Sequence, residues 1–178
     1  HYVKVLSSRS DPGSTIVNAL NELGKKGVKA SDIRLFLHGT TVVTNAIIER
    51  RLAKTALITT EGFKDILEIG RHCRKELYNL FMVAPTPLVS RDLRFEVKER
   101  MDSNGNPITP LDLDQAKQLV NILKEQNIEA CAVSFLHSYR NPEHEQQMVT
   151  LLNEEGIKAV SGSFQLSREI REYERTAT

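Results

Sequence analysis

The stretch Ile33 to Arg51, with FLHGTTVVTN at its centre, constrains the fold more than any other part of the chain. Ile33–Leu37 is apolar apart from Arg34, the polar turn His38-Gly39-Thr40-Thr41 follows at once, and Val42–Arg51 suits a helix. That order predicts a strand, a tight turn and a helix start, the basic connection of an open α/β sheet. Such a junction turns unpaired backbone N–H groups and the positive end of a helix toward whatever lies beyond the strand's carboxyl end, which suits an anion. Gly39 lets a ligand approach the backbone, Thr41 can cap the helix, and Thr40, Thr44 and Asn45 supply short donors and acceptors. Strand-to-helix turns that bind nothing carry the same residues, so the pattern alone leaves both readings open.

The remaining chain repeats this alternation. Tyr2–Leu6 reads as a short strand; a helix opens at Asp11-Pro12, shows Ile16, Val17, Leu20 and Leu23 at helical spacing, and stops at Gly24 and Gly27. Ala56–Ile58 reads as a central strand, which with Ile33–Leu37 and the helix between makes a strand-helix-strand unit, and Thr59 and Thr60 form a second polar lip at its end. A helix from Glu61 to about Gly70 leads into a loop over Tyr78–Ser90. Leu93–Arg100 alternates apolar and charged residues as a half-buried strand does, and Asp102–Asn106, DSNGN, signals a hairpin that returns over Pro107–Thr109. Thr109 with Pro110 is placed to cap a helix whose Leu113, Ala116, Leu119, Val120 and Leu123 give the clearest helical spacing in the chain. Ala130–Leu136 is a buried strand, Asn141-Pro142 opens a helix with Met148, Leu151 and Leu152, and Ile157–Val160 closes a second strand-helix-strand unit. A last helix capped by Ser167 has mixed charges and few apolar residues, which predicts a connector to a further region of a larger protein. The fold expected is α/β: a mixed, largely parallel sheet with flanking helices and one β-hairpin. It makes a single lobe over residues 1–178, with parts at 1–90 and 91–178.

Two strand exits read Phe-Leu-His, at Phe36–His38 and Phe135–His137, so His38 and His137 are expected at one carboxyl edge of the sheet, where ligands of α/β proteins collect. Each imidazole can equally satisfy a loop carbonyl, and two histidines without a third ligand do not make a metal site. Arg71 opens a basic cluster with His72, Arg74 and Lys75 around Cys73, which reads as an anion-facing patch, a partner-facing patch or a solvated turn. The 24 basic and 23 acidic side chains give a net charge of +1, too little field to hold nucleic acid or an anionic membrane. No apolar run reaches membrane-spanning length, and two cysteines without metal spacing suit a reducing compartment, so a cytoplasmic protein is expected.

The strings HGTTVVTNAIIER, ALITTEGFKDILEIGR, LYNL, PLVSRDLRFEVKERMDSNGNPITPLD, FLHSYRNPEHE and SREIREYERTAT, in that order, resemble the amino-terminal region of the hydantoinase A and 5-oxoprolinase family. The resemblance implies part of an actin-like, ribonuclease H-like ATPase core and ATP-dependent hydrolysis of cyclic amides, with ATP and Mg²⁺ as cofactors. Ketone carboxylase subunits share the same strings and are the alternative, and a lobe serving chiefly domain or subunit assembly is a third reading. Implied partners are the remaining domains, a hydantoinase B-type subunit or region, and a small cyclic amide. The implied contacts to nucleotide or substrate are His38, Gly39, Thr40, Thr41, Thr44, Asn45, Arg71 and His137, with no catalytic residue assigned. The family's opening Asp and Gly-Gly-Thr segment has no counterpart here, so a piece of a larger enzyme, inactive by itself, is expected.

Overall fold

The computed structural model describes residues 1–8, 11–73, 76, 78–83 and 85–178. In chain order the helices are α1 (Pro12–Lys25), α2 (Val42–Ile48), α3 (Ile66–Ile69), α4 (Leu113–Glu125), α5 (Glu143–Glu154), α6 (Ser163–Leu166) and α7 (Glu172–Ala177). The strands are β1 (Thr55–Thr60), β2 (Arg94–Val97), β3 (Arg100–Met101), β4 (Pro107–Thr109), β5 (Ala130–Ser134) and β6 (Ala159–Gly162). The sheet is built on β1, whose sequence TALITT is apolar or β-branched throughout and leaves no face for water; five of its six residues are buried. β1 pairs in parallel with β2 and β5, and β6 extends the sheet in parallel beyond β5, giving the order β2-β1-β5-β6.

Helices α4 and α5 cover one face. Ala116, Leu119, Val120 and Leu123 of α4 and Met148, Val149 and Leu152 of α5 pack on Ala56, Ile58, Cys131 and Val133. The helical spacing read from the sequence therefore becomes the core. Burial pushes the Cys131 thiol up to about 12, which keeps it protonated and inert. The expected hairpin forms as β3 and β4 around DSNGN, where Asp102 Oδ1 accepts the amides of Asn104 and Asn106 at 2.8 Å and Gly105 takes a φ of +89°. The described chain is thus mixed α/β, with a parallel four-stranded sheet and one small antiparallel pair.

The chain divides into two units, His1–Asn45 and Ala46–Thr178. In the first, Asp11 caps α1 by accepting the Ser14 amide at 3.1 Å, and Lys26 Nζ donates to the Tyr2 carbonyl at 2.7 Å. Neither Tyr2–Leu6 nor Ile33–Leu37 forms a strand. A strand is stable only against a partner, and no described segment of this unit supplies a ladder. Leu35 and Leu37 are accordingly 74% and 83% exposed. The first predicted strand-helix-strand unit is not formed, and α2 stops at Ile48 rather than Arg51 with Val43 and Ile47 exposed.

In the second unit several boundaries move. The helix expected over Glu61–Gly70 is confined to α3, the strand Leu93–Arg100 splits between β2 and β3, and Ile157–Val160 shifts to β6. Asp112, not Thr109, caps α4: its Oδ1 accepts the Gln115 amide at 2.9 Å, while Thr109 lies in β4. Pro107–Thr109 is needed by the hairpin, so the cap falls to the next suitable acceptor. The last helix begins at Glu172, capped by no side chain, and Ser167 only ends α6.

Candidate functional site

His38, Gly39, Thr40, Thr41, Thr44 and Asn45 are all exposed in the first unit. The turn is organised by Thr40, whose Oγ1 accepts the Val42 amide at 3.3 Å; Thr41 contributes its carbonyl to the Asn45 amide at 2.8 Å and its hydroxyl to Asn45 Nδ2 at 3.5 Å. Thr41 thus holds the cap position through its carbonyl while its hydroxyl takes no backbone amide of α2, and Thr40 closes a short turn onto Val42. Among the described residues the amides of Gly39, Thr40 and Thr41 donate to nothing. A Cβ added at Gly39 would meet no atom within 4 Å, so the chain's own packing does not require the glycine. Three exposed, unpaired amides beside small hydroxyls fit an oxyanion in type. Because Ile33–Leu37 is no strand, His38 does not stand at a sheet edge.

His137 does, immediately beyond β5. Three consecutive amides of this exit are each taken by a side chain: Phe135 N–H donates to Glu145 Oε1 at 2.7 Å, Leu136 N–H to Thr60 Oγ1 at 2.9 Å, and His137 N–H to Glu172 Oε1 at 3.5 Å. Thr60 in turn donates to Glu99, whose other oxygen meets His144 Nδ1 at 2.7 Å. Thr59 and Thr60 are thus buried structural residues and not the polar lip expected of them. Glu145 also accepts the Ser163 hydroxyl at 2.6 Å and the Phe164 amide at 3.0 Å. Burial raises its carboxyl above the ordinary 4.5 despite these donors. Held this way, His137 sits at a φ of +58°, a conformation an L residue keeps only when its surroundings enforce it.

Arg175 of α7 completes the clamp. It is 2% exposed and donates to the carbonyls of Phe135 at 2.9 Å and Glu169 at 2.7 Å, to Glu172 at 3.2 Å, and lies over the Tyr139 ring at 5.5 Å. His137 and Tyr139 meet edge to face at 5.9 Å. Among the described residues His137 Nδ1 and Arg175 Nε are buried without a hydrogen bond. The last helix, for all its charge, is held to the sheet by a buried arginine, because a guanidinium can bridge several main-chain carbonyls at once.

The same short helix also receives Arg71. Gly70, at a φ of +53°, ends α3 and turns the chain toward α7, where a Cβ at Gly70 would lie 3.8 Å from the Tyr173 ring. Arg71 Nε then donates to Glu174 Oε1 at 2.5 Å. Two predicted site residues, Arg71 and His137, are thus tied to α7 through Glu174 and Glu172. Sequence reading missed Arg175, Glu172, Tyr173 and Glu174; their signal was the alternation of Arg, Glu and Tyr in SREIREYERTAT, which a solvated helix would share. His72 and Cys73 are exposed, and Arg74 and Lys75 of the predicted basic cluster lie outside the described residues. Among the described residues no three His, Cys, Asp or Glu side chains converge as metal ligands, and no helix is long and apolar enough to cross a membrane.

Comparison with known proteins gives the arrangement a family. The sequence profile of the hydantoinase/oxoprolinase N-terminal region matches residues 1–156. An uncharacterized protein of Methanocaldococcus jannaschii is 39% identical over the whole chain, which covers 26% of that protein. Caprolactamase subunit alpha of Pseudomonas jessenii is 34% identical over 83% of the chain and 22% of the subunit. The crystal structure of that organism's ATP-dependent caprolactamase matches 98% of the chain with a TM-score of 0.82 and 32% identity, and nucleotide-free acetone carboxylase matches 97% with a TM-score of 0.82 and 26% identity. The chain spans 27% of each of those two structures.

Proposed function

Because this chain belongs to the hydantoinase/oxoprolinase family through its N-terminal region, we propose that the whole protein is an ATP-dependent cyclic amidase, a hydrolase that opens a lactam or hydantoin ring. The observation that carries the reading is the likeness to ATP-dependent caprolactamase along nearly the entire chain, at 32% identity. Acetone carboxylase, equally similar in fold at lower identity, supports ketone carboxylation as the second reading. In the amidase, ATP supplies phosphate chemistry that activates the ring carbonyl toward water. The free amides of Gly39, Thr40 and Thr41, with Thr44 and Asn45 beside them, suit contact with phosphate oxygens, and His38 flanks them. Arg71 and His137, braced by α7, suit contact with a polar substrate. Mg²⁺ would accompany the nucleotide, bridging its phosphates and held by one or two carboxylates. The exposed Leu80, Phe81 and Val83 suit docking of further domains or a hydantoinase B-type subunit. Two free cysteines suit the cytoplasm.

The deciding experiment measures ADP release by the whole protein with a cyclic amide, and separately with a ketone plus bicarbonate. ADP release that requires the cyclic amide supports the proposal. Release that requires ketone and bicarbonate transfers the protein to the carboxylases, and ring opening without ATP refutes both.

A further inference from the structure

The turn that leaves β5 is held more firmly than a connection requires, and it carries one imidazole. His137 stands at a φ of +58°, in the left-handed region that glycine fills most readily. Its N–H donates to Glu172 Oε1 at 3.5 Å, and the same oxygen accepts Arg175 Nη2 at 3.2 Å. Arg175 Nη2 also reaches the Phe135 carbonyl at 2.9 Å, two residues before the imidazole. On the other side, the His137 carbonyl accepts the amides of Arg140 at 2.9 Å and Asn141 at 3.2 Å. The backbone is thus fixed from both directions by groups that do not touch the ring. A glycine would meet the same requirement with less strain, so the fold alone does not call for a histidine here.

The two ring nitrogens are unequal. Nδ1 is buried with no hydrogen-bond partner among the described residues, whereas Nε2, which also bonds to no described residue, is not enclosed. The ring's contact is edge to face with Tyr139 at 5.9 Å, and the Arg175 guanidinium lies over that second ring at 5.5 Å. A neutral imidazole carries its proton on one nitrogen and a lone pair on the other. A proton on Nδ1 would be a buried donor with nothing to receive it, which costs more than a buried lone pair, so the proton belongs on Nε2. The open nitrogen is then a donor and has no lone pair with which to act as a base. We propose that His137 donates a hydrogen bond through Nε2–H to an oxygen of the bound substrate, with Glu172 and Arg175 as the positioning residues that fix it. The identity of that oxygen rests on the cyclic-amidase reading: a ring carbonyl grows more negative as water adds, and a fixed N–H strengthens with it. No proton is transferred at His137.

Two-bond ¹H–¹⁵N correlation on the ¹⁵N-labelled 178-residue chain, in mildly alkaline buffer, reads the tautomer directly. A ring protonated on Nε2 is expected, and an Nδ1–H ring overturns the proposal. In the whole protein, His137→Gly should keep an unfolding midpoint close to the parent's while substrate-dependent ADP release falls about tenfold or more. His137→Gln places an NH₂ near the position of Nε2 and should retain most of the rate; His137→Asn, shorter and equally at ease at positive φ, should not. A glutamine variant as slow as the glycine one would mark a proton carrier and overturn the donor role. So would a glycine variant as fast as the parent, or one that loses much of its stability, since the ring would then be idle or kept for packing. Glu172→Ala should lower kcat with the KM for ATP unchanged, and Glu172→Gln, which keeps an oxygen for the His137 N–H, should restore it; a loss that glutamine does not rescue removes Glu172 from the positioning role. If ADP release requires ketone and bicarbonate, the cyclic-amidase reading fails alone, and the same variants measured in that reaction decide the role of His137.

Discussion

Replacing Glu145 with Gln isolates the part of the fold that sets the β5 exit. The carboxylate receives three donors: the Phe135 amide and Ser163 hydroxyl on Oε1, and the Phe164 amide on Oε2. Glutamine keeps one oxygen for the first two and turns an NH₂ toward the Phe164 N–H, leaving that donor unsatisfied. A buried unsatisfied donor is worth about 1–3 kcal/mol, and removing the desolvated charge offsets part of it, so a net loss of about 2 kcal/mol is expected near pH 5. The pH dependence has a definite sign. Burial raises the carboxyl above 4.5 in the folded state, so the fold holds the proton more tightly than the unfolded chain does. That stabilisation is complete below about pH 4.5 and is lost as the pH rises through the higher folded value. The glutamine side chain does not titrate, so the gap between parent and variant should shrink between pH 5 and pH 8. Urea unfolding followed by far-UV circular dichroism is suitable, since the chain has no tryptophan. A gap that widens with pH would refute the argument, because it would mean that the three donors outweigh burial and hold Glu145 as an anion. Equal midpoints at both pH values would refute the role assigned to the network.

Three other outcomes are expected. Arg175→Ala should lower stability by about 2–4 kcal/mol in the same assay and speed hydrogen exchange at residues 135–139, because it removes the buried guanidinium that bridges the Phe135 and Glu169 carbonyls and Glu172. Asp112→Ala should lower stability by about 1 kcal/mol through loss of the α4 cap, with Thr109→Ala having a smaller effect; the reverse order would restore the cap to Thr109. Gly162→Ala should destabilise by about 1–3 kcal/mol, since its Cβ would lie 2.6 Å from a Phe164 ring carbon and 3.3 Å from Val149 Cγ2, and a melting curve unchanged by the substitution would show that the ring swings clear.

What the amino-acid order determined by itself is what depends on local periodicity and on long quoted strings. The spacing of Leu113, Ala116, Leu119, Val120 and Leu123 names the buried face of α4, TALITT can only be a central strand, and DSNGN closes a hairpin, because each choice is made within a few neighbouring residues. The family, too, was legible in HGTTVVTNAIIER and SREIREYERTAT. Pairing was not. Ile33–Leu37 has every local mark of a strand, yet a strand exists only where another chain segment accepts its amides and carbonyls, and composition does not reveal whether one is present. The roles of polar residues were hidden for the same reason: Thr60, Glu99, His144 and Glu145 come from distant parts of the chain, and only the packed sheet brings them to one strand exit. Arg175 shows the limit most clearly. In the sequence it is one charge among many on a short helix; in the fold it is buried, because its guanidinium bridges the Phe135 carbonyl beyond β5 and the Glu169 carbonyl ahead of α7.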